Sequence, residues 1–197
     1  MDPEFPPEPL WGRLNGRLWH ATSLVALRQI FGDGRIEPSA QSKYPESFSQ
    51  KMNGISLFDF GPTSRHDWGQ YNNWSRWFGH EWRSNLSVWL QINRDSLRQK
   101  LWDAEASRIE NKRMGYPKFI PGVEACHVGP IPFNCIQAIL LVPEQDRASF
   151  LEASPNRENL FEWIERFKTS LPPVEKHPME IAVEKRRAAL RGERSSH

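Results

Sequence analysis

The stretch Leu18-Trp19-His20-Ala21-Thr22-Ser23-Leu24-Val25-Ala26-Leu27-Arg28 sets the first constraint, because bulky residues suited to a pleated, half-buried surface run straight into a helical pattern. Leu24, Leu27 and Ile30 recur at helical spacing, and Thr22 or Ser23 stands where an N-cap is needed. Gly32-Asp33-Gly34 then stops the helix, since glycine most easily takes the left-handed conformation of a C-terminus. Such a junction leaves backbone N–H groups that no helical carbonyl satisfies, so a polar ligand can dock where His20, Ala21 and Thr22 sit.

A chain of 197 residues is long enough to bury a core as one domain of ordinary size. Its formal net charge is only +2, so the overall balance does not point to nucleic acid, although an uneven distribution still can. Cys126 and Cys135 make neither a disulfide framework nor a complete zinc site, which fits a reducing, cytoplasmic compartment. The longest apolar run, Ile136 to Val142, is broken by Gln137 and too short to span a membrane, and no secretory signal opens the chain. The expectation is a soluble protein without a metal site.

Further segments follow in order. Met1 to Pro9 is set aside as a tag or disordered lead, since Met-Asp-Pro-Glu-Phe looks like a vector scar, and Trp11 to Arg17 is a lead-in. Glu37 to Asn53 is an irregular connection. Asn53-Gly54 turns into a strand whose Ile55 and Leu57 face one way and whose Ser56 faces the other. Gly61 to Ser84 mixes Arg65, Arg76 and Arg83 with Trp68, Tyr71, Trp74 and Trp77, in part helically. Strands are expected at Ser87–Ile92, Val123–Val128 and Ile136–Val142, and a short helix around Leu97 and Leu101. Residues 103–118 carry no clear pattern. Helices are expected at 145–153, 157–169 and 175–191.

Three strand-like segments thus each present a polar group among apolar neighbours: His20 with Thr22, Ser56, and Glu124. They can meet only through tertiary folding, as in a cleft site. Each has a plainer explanation: a core histidine, a helix cap, a polar residue on an edge strand. Glu124 is hardest to dismiss, because a carboxylate between Val123 and Ala125 needs a solvent or ligand reason. Neighbouring Cys126 and His127 point to opposite strand faces, which makes a poor metal site and a poor nucleophile pair.

His-Ala-Thr on the first strand, Gly-Ile-Ser-Leu-Phe on the second and Val-Glu-Ala on a later one resemble the three signature motifs of the ADP-ribosyltransferase superfamily, in its diphtheria-toxin and poly(ADP-ribose) polymerase branch. Glu124, followed by Ile131-Pro132 and the strand 136–142, is also similar to bacterial toxins that ADP-ribosylate DNA. The resemblance spans residues 18 to 142. It implies an α+β fold of split mixed or antiparallel sheets flanked by helices, with a catalytic domain over 10–145 and a helical C-terminal extension over 146–197, packed on the same domain or apart.

The resemblance also implies a mono-ADP-ribosyltransferase that uses NAD as co-substrate. Breaking the nicotinamide–ribose bond builds positive charge on the sugar, which a carboxylate stabilises in the transition state, and Glu124 takes that role. His20, Ala21 and Thr22 would line the cofactor, Ala21 through its backbone, with Ser56 at the nicotinamide. Because Ser56 stands where the polymerases place a stacking Tyr, Tyr71, Trp74 or Trp77 is expected to supply the ring face. Arg65 and Arg76, with Trp74 and Trp77, would serve a nucleic-acid acceptor, DNA or RNA, ahead of a protein one. A toxin or phage-defence effector with an antitoxin partner is the implied setting. An RNA 2'-phosphotransferase and a non-catalytic NAD- or partner-binding module are the alternatives.

Overall fold

The computed structural model describes residues 5–38, 46–72, 74–78, 85–115 and 118–172, the side chains of residues 70–72, 75 and 76 excepted. Along the chain, α1 (Glu8–Leu14) precedes β1 (Leu18–Thr22), α2 (Leu24–Asp33) and β2 (Arg35–Ile36). Then come α3 (Phe48–Lys51), β3 (Gly54–Asp59), α4 (Arg65–Asn72), a 3-10 turn at Trp74–Phe78 and β4 (Leu86–Ile92). The rest is β5 (Leu101–Trp102), α5 (Ala104–Met114), β6 (Glu124–Val128), β7 (Ile131–Pro132), β8 (Ile136–Pro143), β9 (Leu151–Ala153) and α6 (Leu160–Ser170).

Seven strands form one sheet in the order β5-β6-β3-β1-β4-β8-β9, every neighbouring pair antiparallel, and β2 with β7 makes a separate ribbon. Strand side chains alternate between faces, so an almost wholly apolar strand such as β8 must be covered on both. On one face Leu18, Leu57, Leu90, Ile139 and Leu141 pack with Leu24, Leu27 and Ile30 of α2 and Leu160 and Ile164 of α6. On the other, Trp19, Phe58, Trp89 and Leu140 pack with Leu10, Trp11 and Leu14 of α1, Trp68 of α4, and Trp74 and Phe78. The fold is therefore α+β, a mostly antiparallel sheet with helices on both faces. Among the described residues no helix is long and apolar enough to cross a membrane.

The sheet is continuous but unevenly joined. β1 registers with β4 from Leu18↔Ile92 to Thr22↔Val88, and β3 with β6 from Gly54↔Val128 to Phe58↔Glu124. Between β1 and β3 only Leu18↔Asp59 and Trp19↔Phe58 are paired. Expected as split sheets, the strands instead form one sheet with a seam that opens beyond Trp19.

Several expectations need correction. The lead set aside as 1–9 runs into α1, with Pro9 in the first turn where its missing N–H costs nothing, and Leu10 and Leu14 are fully buried. The helix expected around Leu97–Leu101 is a 3-10 turn at Asp95–Leu97 followed by β5, because Val128 N–H donates to Lys100 O and draws the chain onto β6. Residues 103–118 hold α5, capped by Asp103, which accepts from Ala106 N–H at 2.8 Å, and closed by left-handed Gly115. Over 145–153 there is no helix. Asp146 accepts from Ala148 N–H and turns the chain, and β9 adds to the edge of β8. The helix expected from 157 begins at Leu160, and the one at 175–191 lies outside the described residues.

Candidate active site

Peptide groups along a strand point alternately to its two neighbours. Phe60 N–H donates to Arg17 O at 3.0 Å, so the peptides of Arg17, Trp19 and Ala21 point toward β3, and those of Ser56 and Phe58 toward β1. Trp19 meets Phe58, but Ala21 and Ser56, the next such couple, lie beyond the last registered pair and face the gap. His20 enters the gap instead, its Nδ1–H donating to Ser56 O at 3.0 Å. That bond fixes the tautomer of a neutral ring and leaves Nε2 as an acceptor. Thr22 ends β1, and the capping of α2 falls to Ser23, whose Oγ accepts from Ala26 N–H at 3.0 Å. Thr22 therefore owes its place to the strand, and its side chain lines the same opening.

The gap widens into a cavity of about 860 Å³ lined by His20, Ala21 and Thr22 on one side and by Gly54, Ile55, Ser56, Phe58 and Glu124 on the other. Phe58 registers with Trp19 on one flank and with Glu124 on the other, so Glu124 stands two strand spacings, about 10 Å, from β1. Its side chain is almost completely buried, at 2% exposure. Glu124 Oε2 accepts from Ile120 N–H at 2.7 Å, and Ser49 of α3 lies on the same cavity wall. Burial outweighs the pull of these backbone N–H groups, Ile120 first and then Ser49, and pushes the Glu124 carboxyl up to about 7. A buried acid on a cavity wall, poised near neutral pH, is what proton-handling chemistry requires.

Gly54 is what lets β3 close on β6 here. A Cβ at that position would stand 2.4 Å from Cys126 Sγ and 2.7 Å from His127 O. Burial, and next the Glu124 charge, push the Cys126 thiol up to about 12, while His127 is held below its ordinary value by burial and donates Nδ1–H to Gly129 O. Among the described residues no group of three His, Cys, Asp or Glu side chains is placed to hold a metal.

The structure thus brings His20, Ala21, Thr22, Ser56 and Glu124 to one cavity. Of the aromatic candidates, half-buried Trp77 also lines it and sits edge-on to Phe58, ring centroids 5.4 Å apart. Trp74 does not: it is 2% exposed, packs edge-on to Phe78 and carries Arg147 over its ring, so its place is in the core. Arg65 donates to Pro6 O at 2.7 Å and pairs with Glu8 at 2.8 Å, tying the lead to α4, and does not line the cavity. The side chains of Tyr71 and Arg76 lie outside the described residues. Ser49, Ile120, Arg35 and Lys118 are lining residues with no sequence signal of their own; Arg35 pairs with Glu37. Only the turn residues before Glu124 could have flagged the loop that reaches back to it.

No family model, curated protein or solved structure matches this chain. The cavity offers an aromatic side chain, Trp77, exposed peptide groups, the His20 imidazole and the carboxylates of Asp33, Glu37 and buried Glu124, a set suited to a polar ligand.

Proposed function

We propose that the chain is an NAD-consuming mono-ADP-ribosyltransferase in which Glu124 is the catalytic carboxylate. The observation that carries this reading is the seam: it opens one residue past Trp19↔Phe58, and Glu124 lies at the far end of that same rung. A primary amide such as that of nicotinamide needs one donor and one acceptor, which the Ala21 peptide offers. Trp77 provides an apolar face for its ring, in place of the Tyr that Ser56 replaces. His20, whose Nδ1–H donates to Ser56 O, stands on the cavity wall where the ribose would lie.

In the reaction the bond between ribose C1' and the pyridinium nitrogen breaks, nicotinamide leaves with the electron pair, and positive charge develops on the sugar. Ionised Glu124 stabilises that charge and orients the adjacent hydroxyl. The acceptor then attacks C1' and releases its proton to solvent or to Glu124. The Ile120 N–H, donating to Glu124 Oε2 at 2.7 Å, holds the carboxylate in place at no further reorganisation cost.

Nucleic acid is the proposed acceptor, with Arg35 and Lys118 as cations on the cavity wall. A cytoplasmic toxin or defence effector is the setting this reading carries. The test is incubation with adenylate-labelled NAD and separate pools of DNA, RNA and protein. Label transfer to nucleic acid, lost in Glu124→Gln, is the expected result; NAD binding without any cleavage would instead mean a non-catalytic module.

A further inference from the structure

The cavity follows α2 from one end to the other. Ser23, Ala26, Ile30 and Asp33 recur at helical spacing on one face, and all four line the cavity. The 10 residues of α2 rise about 15 Å, so a ligand lying along this face is elongated, as a dinucleotide is. Ser23 follows Thr22 directly and stands at the seam, where the nicotinamide and Glu124 belong. The adenosine of the same molecule then falls at the other end, where α2 gives way to β2. The charge there is unusual for a helix terminus. The last turn of α2 holds Asp33 and no basic residue, so a carboxylate faces the negative pole of the helix dipole. Arg28, the one cation of α2, is drawn off to Glu165 of α6 at 2.9 Å and lies over the Phe161 ring. Arg35 of β2 pairs with Glu37, so those two together add no net charge. Lys118 belongs to the Glu124 side, its backbone joined to Ser47 and Phe48 at the start of α3. Among the described residues no cation is paired with Asp33.

We infer that Asp33 is a specificity-determining residue: with the negative pole of α2 it makes the far end of the cavity anionic, so the chain takes a dinucleotide whose adenosine ribose carries free hydroxyls and refuses the 2'-phosphorylated one. The inference rests on reading the cavity as an NAD site and adds which of the two nicotinamide dinucleotides that site admits. A ribose diol donates O–H groups that a carboxylate accepts, whereas a 2'-phosphate offers acceptor oxygens and brings about two further negative charges at pH 7. The first pairs with Asp33, and the second is repelled by it. Asp33 and Glu37 are exposed at the cavity mouth, so the repulsion acts through water and salt screens it. The fold itself gains nothing from this carboxylate, since a neutral or basic residue would suit the helix terminus better. A ligand that donates hydroxyls accounts for it.

The test is calorimetric titration of the full-length protein with NAD and with NADP, at low and at high salt. The wild type should hold NAD at least about tenfold more tightly than NADP at low salt, and the gap should narrow as salt is added. Asp33→Asn, which keeps an acceptor oxygen and loses the charge, should cut that ratio about fivefold, mainly by strengthening NADP. Glu37→Gln, which leaves the Arg35 charge unbalanced, should move the ratio the same way. Both positions are exposed and the loss of Asp33 relieves the helix dipole, so the variants should fold. A merely structural lesion would weaken both dinucleotides alike and leave their ratio where it was. A wild type that binds the two equally, or a folded Asp33→Asn with the wild-type ratio, overturns the assignment and leaves the NAD reading standing. Binding of neither dinucleotide overturns both. An Asp33-dependent preference in a protein that never cleaves NAD upholds Asp33 and overturns the enzymatic reading.

Discussion

His20 and Ser56 are joined by a 3.0 Å hydrogen bond from the imidazole to the peptide carbonyl, across the place where β1 and β3 cease to pair. The ring substitutes for the missing ladder bond, and His20 lines the cavity that opens there. His20→Ala should therefore do two separable things. Leaving the Ser56 carbonyl without this donor should lower stability by about 1 kcal/mol, and losing the ribose contact should weaken NAD binding about tenfold. Chemical denaturation and equilibrium NAD titration check the two effects; unchanged NAD affinity would remove His20 from the cofactor wall.

Glu124 makes a stability prediction whose sign follows from its titration. Its carboxyl lies at about 7 in the folded chain against an ordinary 4.5, so the folded state holds the proton more tightly. The resulting stability is fully present below 4.5 and is lost as the pH rises through 7, a difference of about 3 kcal/mol. Glu124→Gln, which cannot ionise, should be the more stable protein at pH 8 and match the wild type near pH 4, while losing at least a factor of about 100 in NAD cleavage. Denaturation midpoints at the two pH values test the first part, and equal midpoints at pH 8 would contradict it.

The same titration sets the activity profile. Glu124 must be ionised to stabilise a cationic ribose, so NAD cleavage by the free enzyme should climb with a midpoint near pH 7, the value to which burial raises the group. A rising limb near 4.5 would place the essential carboxylate elsewhere.

Trp74 and Trp77 stand three residues apart with opposite expected roles. Trp74 is core and cut off from the cavity, so Trp74→Ala should cost about 3–5 kcal/mol. Trp77 is half-buried on the cavity wall, so Trp77→Ala should cost less stability and more NAD affinity. Thermal melts with and without NAD separate them, and the opposite pattern would exchange the assignments.

Gly54→Ala should be destabilising by about 1–3 kcal/mol, because the new methyl meets Cys126 Sγ at 2.4 Å and His127 O at 2.7 Å. Adding Cys126→Ala should restore only part of that loss, since the carbonyl is backbone and cannot yield as a side chain can. Full restoration in the double variant would show that the thiol alone sets the spacing of β3 and β6.

The sequence makes legible those elements whose local signals agree. Leu18–Gly34 carries its own strand residues, cap and glycine stop, and the structure follows it closely, the left-handed Gly34 at φ 66° included. α5 is hidden for the converse reason: only Ala104 and Ser107 are buried, so no apolar stripe shows, and what holds it is its cap and the Glu105–Arg108 and Glu110–Arg113 pairs. β9 is hidden because a three-residue edge strand is decided by the partner it docks on. At the site, His20, Thr22, Ser56 and Glu124 stand out as polar residues in apolar strands, whereas Ile120 contributes through its peptide group, which every residue has. Arg65, Trp74 and their neighbours read as a nucleic-acid surface because aromatic and basic residues intermixed look alike whether they stack on a base or on one another.

The two-pair junction of β1 with β3 has a consequence for how the chain behaves among others of its kind. Strands that stop pairing expose a row of donors and acceptors, the template on which foreign chains add and aggregates grow. Here the unzipped stretch lies inside the sheet, its borders are continuous ladders on either side, and His20 already occupies the Ser56 carbonyl. The unpaired backbone is thereby kept away from the open edges of the sheet, where a neighbouring chain would add a strand.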